Sequence, residues 1–362
     1  MSRLARFVAA GFERRPEQSL LIVTDGAGWI LDEVGAHLLA SLPPSFDARL
    51  VSDGWARARD CTVHFIDRRW AWADGVLDGV HESNRLIGVW WHGRLDSPDP
   101  GMQAALGRLG ALRDRFVRFH VTCSSARHTL EAVGVAPQRI KTLPLGIDLR
   151  LFQPPAGDAD RRGAREALGI DDKTIAIGCF QKDGSGWQDD GKPKLIKGPD
   201  ILVDALARLS ARFPVHAVIP GPARGYVKTA LRRAQIPFSA PGMVSRQELP
   251  RLYHALDLYL SPSRDEGGPA GVLESMATGV PVVSSKTGMP ADLIEPGVNG
   301  QLVEIGDPGA LAAAAAELIE RPALRAALSE RGLVSIQPYD WRVLAGRYAA
   351  ELYLFPETAA SG

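Results

Sequence analysis

The chain has 362 residues, enough for two domains at roughly 150 residues each and for a core that needs no disulfide or metal staple. Lysine plus arginine and aspartate plus glutamate both number 42, so the formal charge cancels, which argues against a general nucleic-acid binder. The three cysteines, Cys61, Cys123 and Cys179, are too few and too scattered for a metal finger or disulfide framework and point to a reducing, cytoplasmic setting.

No apolar run approaches the roughly 18 residues that span a bilayer. Residues 1–16 mix Arg3, Arg6, Arg14 and Arg15 with Leu4, Phe7, Val8 and Phe12. They lack the apolar centre of a signal peptide and read as a short docking helix. The same basic, amphipathic character also suits a peripheral contact with the inner membrane face. From Leu20 onward, apolar strand runs at residues 20–24, 63–66, 86–91, 118–122 and 140–143 alternate with helix-period segments such as 102–116 and 126–133. That alternation predicts parallel strands joined by crossover helices. After the turn-rich stretch 152–158, a second series has strands at 175–180, 215–219, 256–260, 280–284 and 300–303. A last helical pattern covers 341–354, beyond Gln337-Pro338. The fold class is α/β: two doubly wound, Rossmann-like parallel-sheet domains, residues 1–152 and 153–338, with a terminal helix in 339–362. Ligands of such folds bind outside the carboxyl ends of the strands, so the expected site is the cleft between those ends.

Three motif-like stretches fail on chemistry. Gly26-Ala27-Gly28 follows a strand, but Leu31 stands where a dinucleotide fingerprint needs its third glycine. Gly186 to Lys192 matches a P-loop until Pro193 removes the magnesium-binding hydroxyl. Asp158-Ala159-Asp160 is an Asp-x-Asp pair placed in the linker rather than after a strand, so no metal site is expected.

The informative stretch follows the strand at 256–260. Gly267 and Gly268 let the backbone approach a ligand, and Pro269 suits the first turn of a helix. Unpaired amides near Gly268, Ala270, Gly271 and Val272 then offer an anion site. Glu266 in the loop and Glu274 one turn into the helix flank it. Two carboxylates beside an anion site suit a ligand with hydroxyls on both sides of a phosphate, as in a nucleotide sugar.

Glu266-x7-Glu274, followed by Gly279-Val-Pro-Val-Val283, Gly288, Asp292 and Gly297-Val-Asn-Gly300, resembles the retaining glycosyltransferase family 4, among the group 1 glycosyl transferases. The resemblance covers most of residues 117–353 and includes Leu143-Pro-Leu-Gly-Ile-Asp148. It implies the GT-B architecture, with the donor held mainly by the second domain, the acceptor on the side of the first and the last helix crossing back to the first. It implies transfer of a sugar from a nucleotide diphosphate sugar to an acceptor hydroxyl, with retention and without a metal or other cofactor. The acceptor class is a glycan, a lipid-linked or a small molecule, in bacterial polysaccharide or glycoconjugate synthesis. By the same resemblance Glu274 holds the ribose hydroxyls, Glu266 the transferred sugar, Gly221 approaches the donor, and Met243 and Val244 read the base. His92, at a strand's carboxyl end, is placed to touch a sugar hydroxyl or developing charge.

The phosphate clamp departs from the family. Lys197-Gly198 matches its Lys-Gly at a helix start, but the arginine usual after the first strand is missing and a glycine-rich insertion intervenes. Four of the chain's eight lysines lie between 182 and 197, and Lys182 is the expected substitute. Two other readings stay open, a GT-B sugar-nucleotide epimerase and a non-catalytic scaffold in a glycan-assembly complex. Of the tryptophans, Trp29 beside the glycine loop is the expected acceptor contact, Trp90 and Trp91 end a strand, and Trp70 and Trp72 read as core on one strand face.

Overall fold

A run such as Leu20-Leu21-Ile22-Val23 has no polar face, so both sides of the strand need covering, the condition met in a parallel sheet flanked by helices. The computed structural model describes residues 19–28, 30–184, 189 and 191–355, and it holds two six-stranded sheets. The chain divides into two compact units, Met1–Gly146 with Trp341–Gly362, and Ile147–Asp340. The passage into the second unit thus falls at Gly146, ahead of the turn-rich stretch, and the return comes at Trp341 rather than at 339.

The first unit orders its strands β2-β1-β3-β4-β5-β6, all parallel. They are β1 (Ser19–Val23), β2 (Asp47–Val51), β3 (Thr62–Phe65), β4 (Arg85–Val89), β5 (Phe116–Val121) and β6 (Ile140–Thr142). β2 has no counterpart in the sequence reading. It is a half-buried edge strand whose Asp47 and Arg49 dilute the apolar signal. The helix Pro100–Leu112 starts where Asp99 accepts the Gly101 amide at 2.8 Å, with proline at the first position. Trp70 and Trp72 are not on a strand: they lie on the short helix Arg69–Trp72, where Trp70 packs on Phe116 and Trp72 is 42% exposed. Trp90 and Trp91 are buried in the core, and Trp90 donates to Gly93 O at 3.2 Å. Trp29 and residues 1–16 lie outside the described residues, as do Gly186 and its neighbours to 188.

The terminal segment belongs to this unit as the helix Trp341–Arg347 and a π-helical turn, Tyr348–Tyr353. Arg118 donates to Leu352 O at 2.7 Å, and Tyr353 Oη lies 2.8 Å from His64 Nδ1. Tyr348 reaches His120 Nε2 at 3.2 Å. Both histidines are fully buried. Burial first, then the neighbouring His120, holds His64 well below the ordinary imidazole range, and burial pushes His120 down to about 4.

The second unit orders its strands β12-β11-β10-β7-β8-β9, also parallel. They are β7 (Ile175–Gly178), β8 (Val215–Val218), β9 (Phe238–Ser239), β10 (Leu258–Ser261), β11 (Val282–Ser285) and β12 (Gln301–Val303). Two-residue β9 is too short to announce itself in sequence. Leu206, Leu231, Leu258 and Leu311 are among the fully buried side chains of its core. Asp158 and Asp160 are not in a linker: they occupy the first turn of the helix Asp158–Glu166, where negative charge suits the helix dipole.

Candidate functional site

In the second sheet the order turns between β10 and β7, and connections leaving in opposite directions open a crevice outside the carboxyl ends. The loop 262–269 leaves β10 here and enters the helix Ala270–Ala277. Two glycines in the left-handed region fix it by close approach. A Cβ on Gly198 (φ 66°) would fall 2.0 Å from Pro262 O, and one on Gly288 (φ 58°) would fall 1.9 Å from Glu266 O. Met289 N donates to Gly267 O at 2.9 Å, and Arg264 N to Ile196 O at 2.9 Å. The Arg264 guanidinium grips both oxygens of Asp200 at 2.7 and 2.6 Å, and holds that carboxyl below its usual range. The loop is therefore tied to three neighbouring segments.

Glu266 ends up paired with Lys197, the last residue of the 3-10 turn Leu195–Lys197. Ser263, fully buried, donates towards Glu266 Oε2 at 3.4 Å. Gln181, which sequence reasoning passed over, places Nε2 2.8 Å from Ser263 Oγ and 3.5 Å from Glu266 Oε2. Lys182 is half-buried and burial lowers its ammonium's affinity for a proton. The lysine expected to stand in for the missing arginine thus has as its neighbour an amide that reaches the carboxylate. The signal available in sequence was only that Gln181 is a polar residue directly after a buried strand.

The helix Ala270–Ala277 begins one residue later than its sequence suggests, with Pro269 in the extended cap position and no side-chain cap. Of the expected anion-binding amides, that of Val272 is taken by Pro269 O at 3.0 Å, and Pro269 has none. Ala270 and Gly271 carry the open first turn, with Gly271 pressed against Tyr259, whose Oη would meet a Cβ there at 2.0 Å. Gly268 is half-buried just before it. Glu274 is 3% exposed, and neither oxygen lacks a donor: Arg246 bonds Oε1 and the Tyr253 hydroxyl bonds Oε2 at 2.6 Å. Arg246 stacks over Phe152 with 4.5 Å to the ring. Burial, then the Glu274 charge, pushes the Tyr253 phenol well above its usual range, so it stays a donor. Gly221 N donates to Gly242 O at 2.7 Å, which brings the turn after β8 beside exposed Met243 and half-buried Val244.

The insertion after β7 is anchored rather than loose at its described ends. Asp183 Oδ2 accepts Val227 N at 2.8 Å and Asp189 Oδ1 accepts Arg224 N at 2.7 Å, so both cap the helix Gly225–Arg233. Arg224, 2% exposed, donates to Cys179 O at 3.0 Å and lies 3.1 Å from Asp183. Desolvation nevertheless raises the Asp183 carboxyl against the pull of Arg224. Lys192 and Lys194 lie on the exposed part of the insertion.

In the first unit His92 is half-buried after β4. Arg68, stacked over Trp90 at 4.8 Å, bonds the His92 carbonyl and lies 3.0 Å from Nε2. Arg69 binds Asp67 at 2.7 Å and reaches Ser52 O at 3.2 Å, joining the ends of β2 and β3.

Residues 192–321 match the family model described as Glycosyl transferases group 1. The lipopolysaccharide core biosynthesis mannosyltransferase LpsB of Rhizobium meliloti is 35% identical over 148 residues, 39% of this chain and 38% of that one. A D-inositol 3-phosphate glycosyltransferase of Segniliparus rotundus is 28% identical over 265 residues, 69% of this chain and 54% of that one. The chain spans about half the length of the curated relatives it matches. Among solved structures, Anabaena HepE in complex with UDP and glucose superposes with a TM-score of 0.74 at 18% identity, covering 92% of this chain and 98% of that one. Sucrose-phosphate synthase from Thermosynechococcus elongatus gives 0.72 at 17% identity, over 92% and 97%. At these identities the likeness is one of fold, and the fold is GT-B, two Rossmann-like units with parallel sheets. No helix among the described residues is long and apolar enough to cross a membrane.

Proposed function

We propose that the chain is a retaining glycosyltransferase of family 4 that moves a sugar from a nucleotide diphosphate sugar to an acceptor hydroxyl. The single observation that carries this is the Lys197–Glu266 pair at the β7–β10 turn of the second sheet, beside an uncapped helix start. The names of the relatives, a mannosyltransferase and a D-inositol 3-phosphate glycosyltransferase, support it.

In this reading the diphosphate lies against the first turn at Ala270 and Gly271, where backbone amides and the helix dipole favour negative charge. Lys197 uses one of its three N–H donors on Glu266 and has two for phosphate oxygens. That fixed charge stabilises the leaving nucleotide, so the chemistry calls for no metal ion. Glu266 accepts from the transferred sugar, and a donor phosphate oxygen takes the proton of the incoming hydroxyl on the same face, giving retention. Glu274 reads the ribose diol, which requires Arg246 to yield or share Oε1. Met243 and Val244 border the base, and Gly221 lets the backbone approach. His92, held by Arg68, is assigned to the acceptor side, with the acceptor a glycan, a lipid-linked or a small molecule. LpsB, named for lipopolysaccharide core biosynthesis, supports a place in glycan assembly.

Release of nucleoside diphosphate from UDP-, GDP-, ADP- and TDP-sugars, with and without a chelator, tests the proposal. One donor is expected to turn over, insensitive to chelation and lost in Glu266→Gln. Turnover by none, or equal turnover in Glu266→Gln, contradicts it.

A further inference from the structure

Gln181 stands at the carboxyl end of β7 with the two ends of its amide in different situations. Its NH2 faces Ser263 Oγ at 2.8 Å and Glu266 Oε2 at 3.5 Å. A carboxylate oxygen only accepts, so the nitrogen must be the end turned to Glu266. The carbonyl, Oε1, is buried and accepts no hydrogen bond among the described residues. A buried amide oxygen left so is costly, and in a native site it calls for a partner. Ser263, the side chain bonded to the other end of the amide, does not supply one, because its single hydroxyl hydrogen is directed at Glu266.

We infer that Gln181 is a specificity-determining residue that accepts a hydroxyl of the transferred sugar through Oε1, next to the hydroxyl taken by Glu266. The inference deepens the proposed function and rests on it. Chemistry selects the sugar over the phosphates. Phosphate oxygens, like Oε1, have only lone pairs to offer, whereas a sugar hydroxyl brings the missing donor. The two ends of one amide are close neighbours, so a group that reaches Oε1 lies beside a group that reaches Glu266. An amide here, where a guanidinium would seek phosphate, turns this corner of the site from charge neutralisation to hydroxyl recognition.

Calorimetry separates the two roles when the bare nucleotide and its conjugate are compared, UDP with UDP-glucose, GDP with GDP-mannose, ADP with ADP-glucose and TDP with TDP-glucose. For the pair that binds, Gln181→Met is expected to weaken the sugar conjugate roughly tenfold, the loss of one hydrogen bond, and to leave the bare nucleotide within about twofold. Among conjugates lacking single hydroxyls, one should already bind weakly to the wild type and lose nothing further in Gln181→Met. Gln181→Asn, which withdraws the amide by one methylene, should give the same split, and serves if the methionine variant fails to fold. Equal loss for nucleotide and conjugate would assign Gln181 to phosphate or to packing, and no loss for the conjugate would remove it from the site; either overturns the inference. Binding of none of the four pairs to the wild type would overturn the proposed function itself.

Discussion

Lys197 and Lys192 lie five positions apart in a lysine-rich stretch; Lys197 pairs with Glu266 in the site, and Lys192 lies on the exposed part of the insertion. Lys197→Ala should therefore lower transfer by about 10- to 150-fold, the worth of a charge-assisted contact of roughly 1.5–3 kcal/mol, with Lys192→Ala near wild type. Equal kinetic losses would place the phosphate clamp elsewhere. Glu274 carries two burdens, since its oxygens already hold Arg246 and Tyr253 in the interior. Glu274→Gln turns an N–H towards one of two donors, so both the melting temperature and the nucleotide affinity should fall. Wild-type values for both would show that this carboxylate neither holds the helix nor reads the ribose. Glu266 and Glu274 stood out in sequence by their spacing around glycines, and Lys197 by the Lys-Gly step at a helix start. Gln181 and Arg246 did not, since each acquires meaning only from a partner brought in by another strand or helix.

At the scale of elements, loop 262–267 is held by backbone contacts that leave no room at two glycines. Gly288→Ala would put a methyl group into Glu266 O and force a left-handed alanine, itself unfavourable by about 1–2 kcal/mol. The expected result is donor KM raised at least tenfold, roughly the effect of a lost charged contact, together with a melting temperature lowered by a few degrees. Unchanged kinetics would mean the loop has other support. The terminal segment makes a different prediction. His64 and His120 are neutral beneath Tyr353 and Tyr348, with folded-state proton affinities below the ordinary value of about 6.5. Their contribution is complete above that value and is lost as pH falls from there towards about 4, the value for His120, because the unfolded chain takes up protons that the folded one refuses. For His120 alone the window amounts to on the order of 3 kcal/mol. Denaturant midpoints measured from pH 7 to pH 4 should fall, and fall less steeply in His120→Gln. Identical slopes would remove the histidine pair as the cause. Trp341–Arg347 was readable as a helix from its periodicity, whereas the π turn after it depends on tyrosines meeting histidines far away in sequence.

For the whole molecule, ten of the strands announced themselves as apolar runs because buried parallel strands need both faces covered. The edge strands β2 and β9 did not, since one is half polar and the other two residues long. Trp72 and Trp90 show the same limit from the other side: the sequence reads Trp72 as core on a strand face and Trp90 as a strand end, but packing exposed the first and buried the second. The central claim is that the second unit's Glu266 site transfers sugar with retention. Proton NMR of a nucleotide sugar incubated with the protein tests it most directly, with water serving as acceptor. An α-linked donor is expected to release sugar that is α at first and only later mutarotates, with the rate lost in Glu266→Gln. A β product at the earliest times, or an epimerised sugar, would contradict the account.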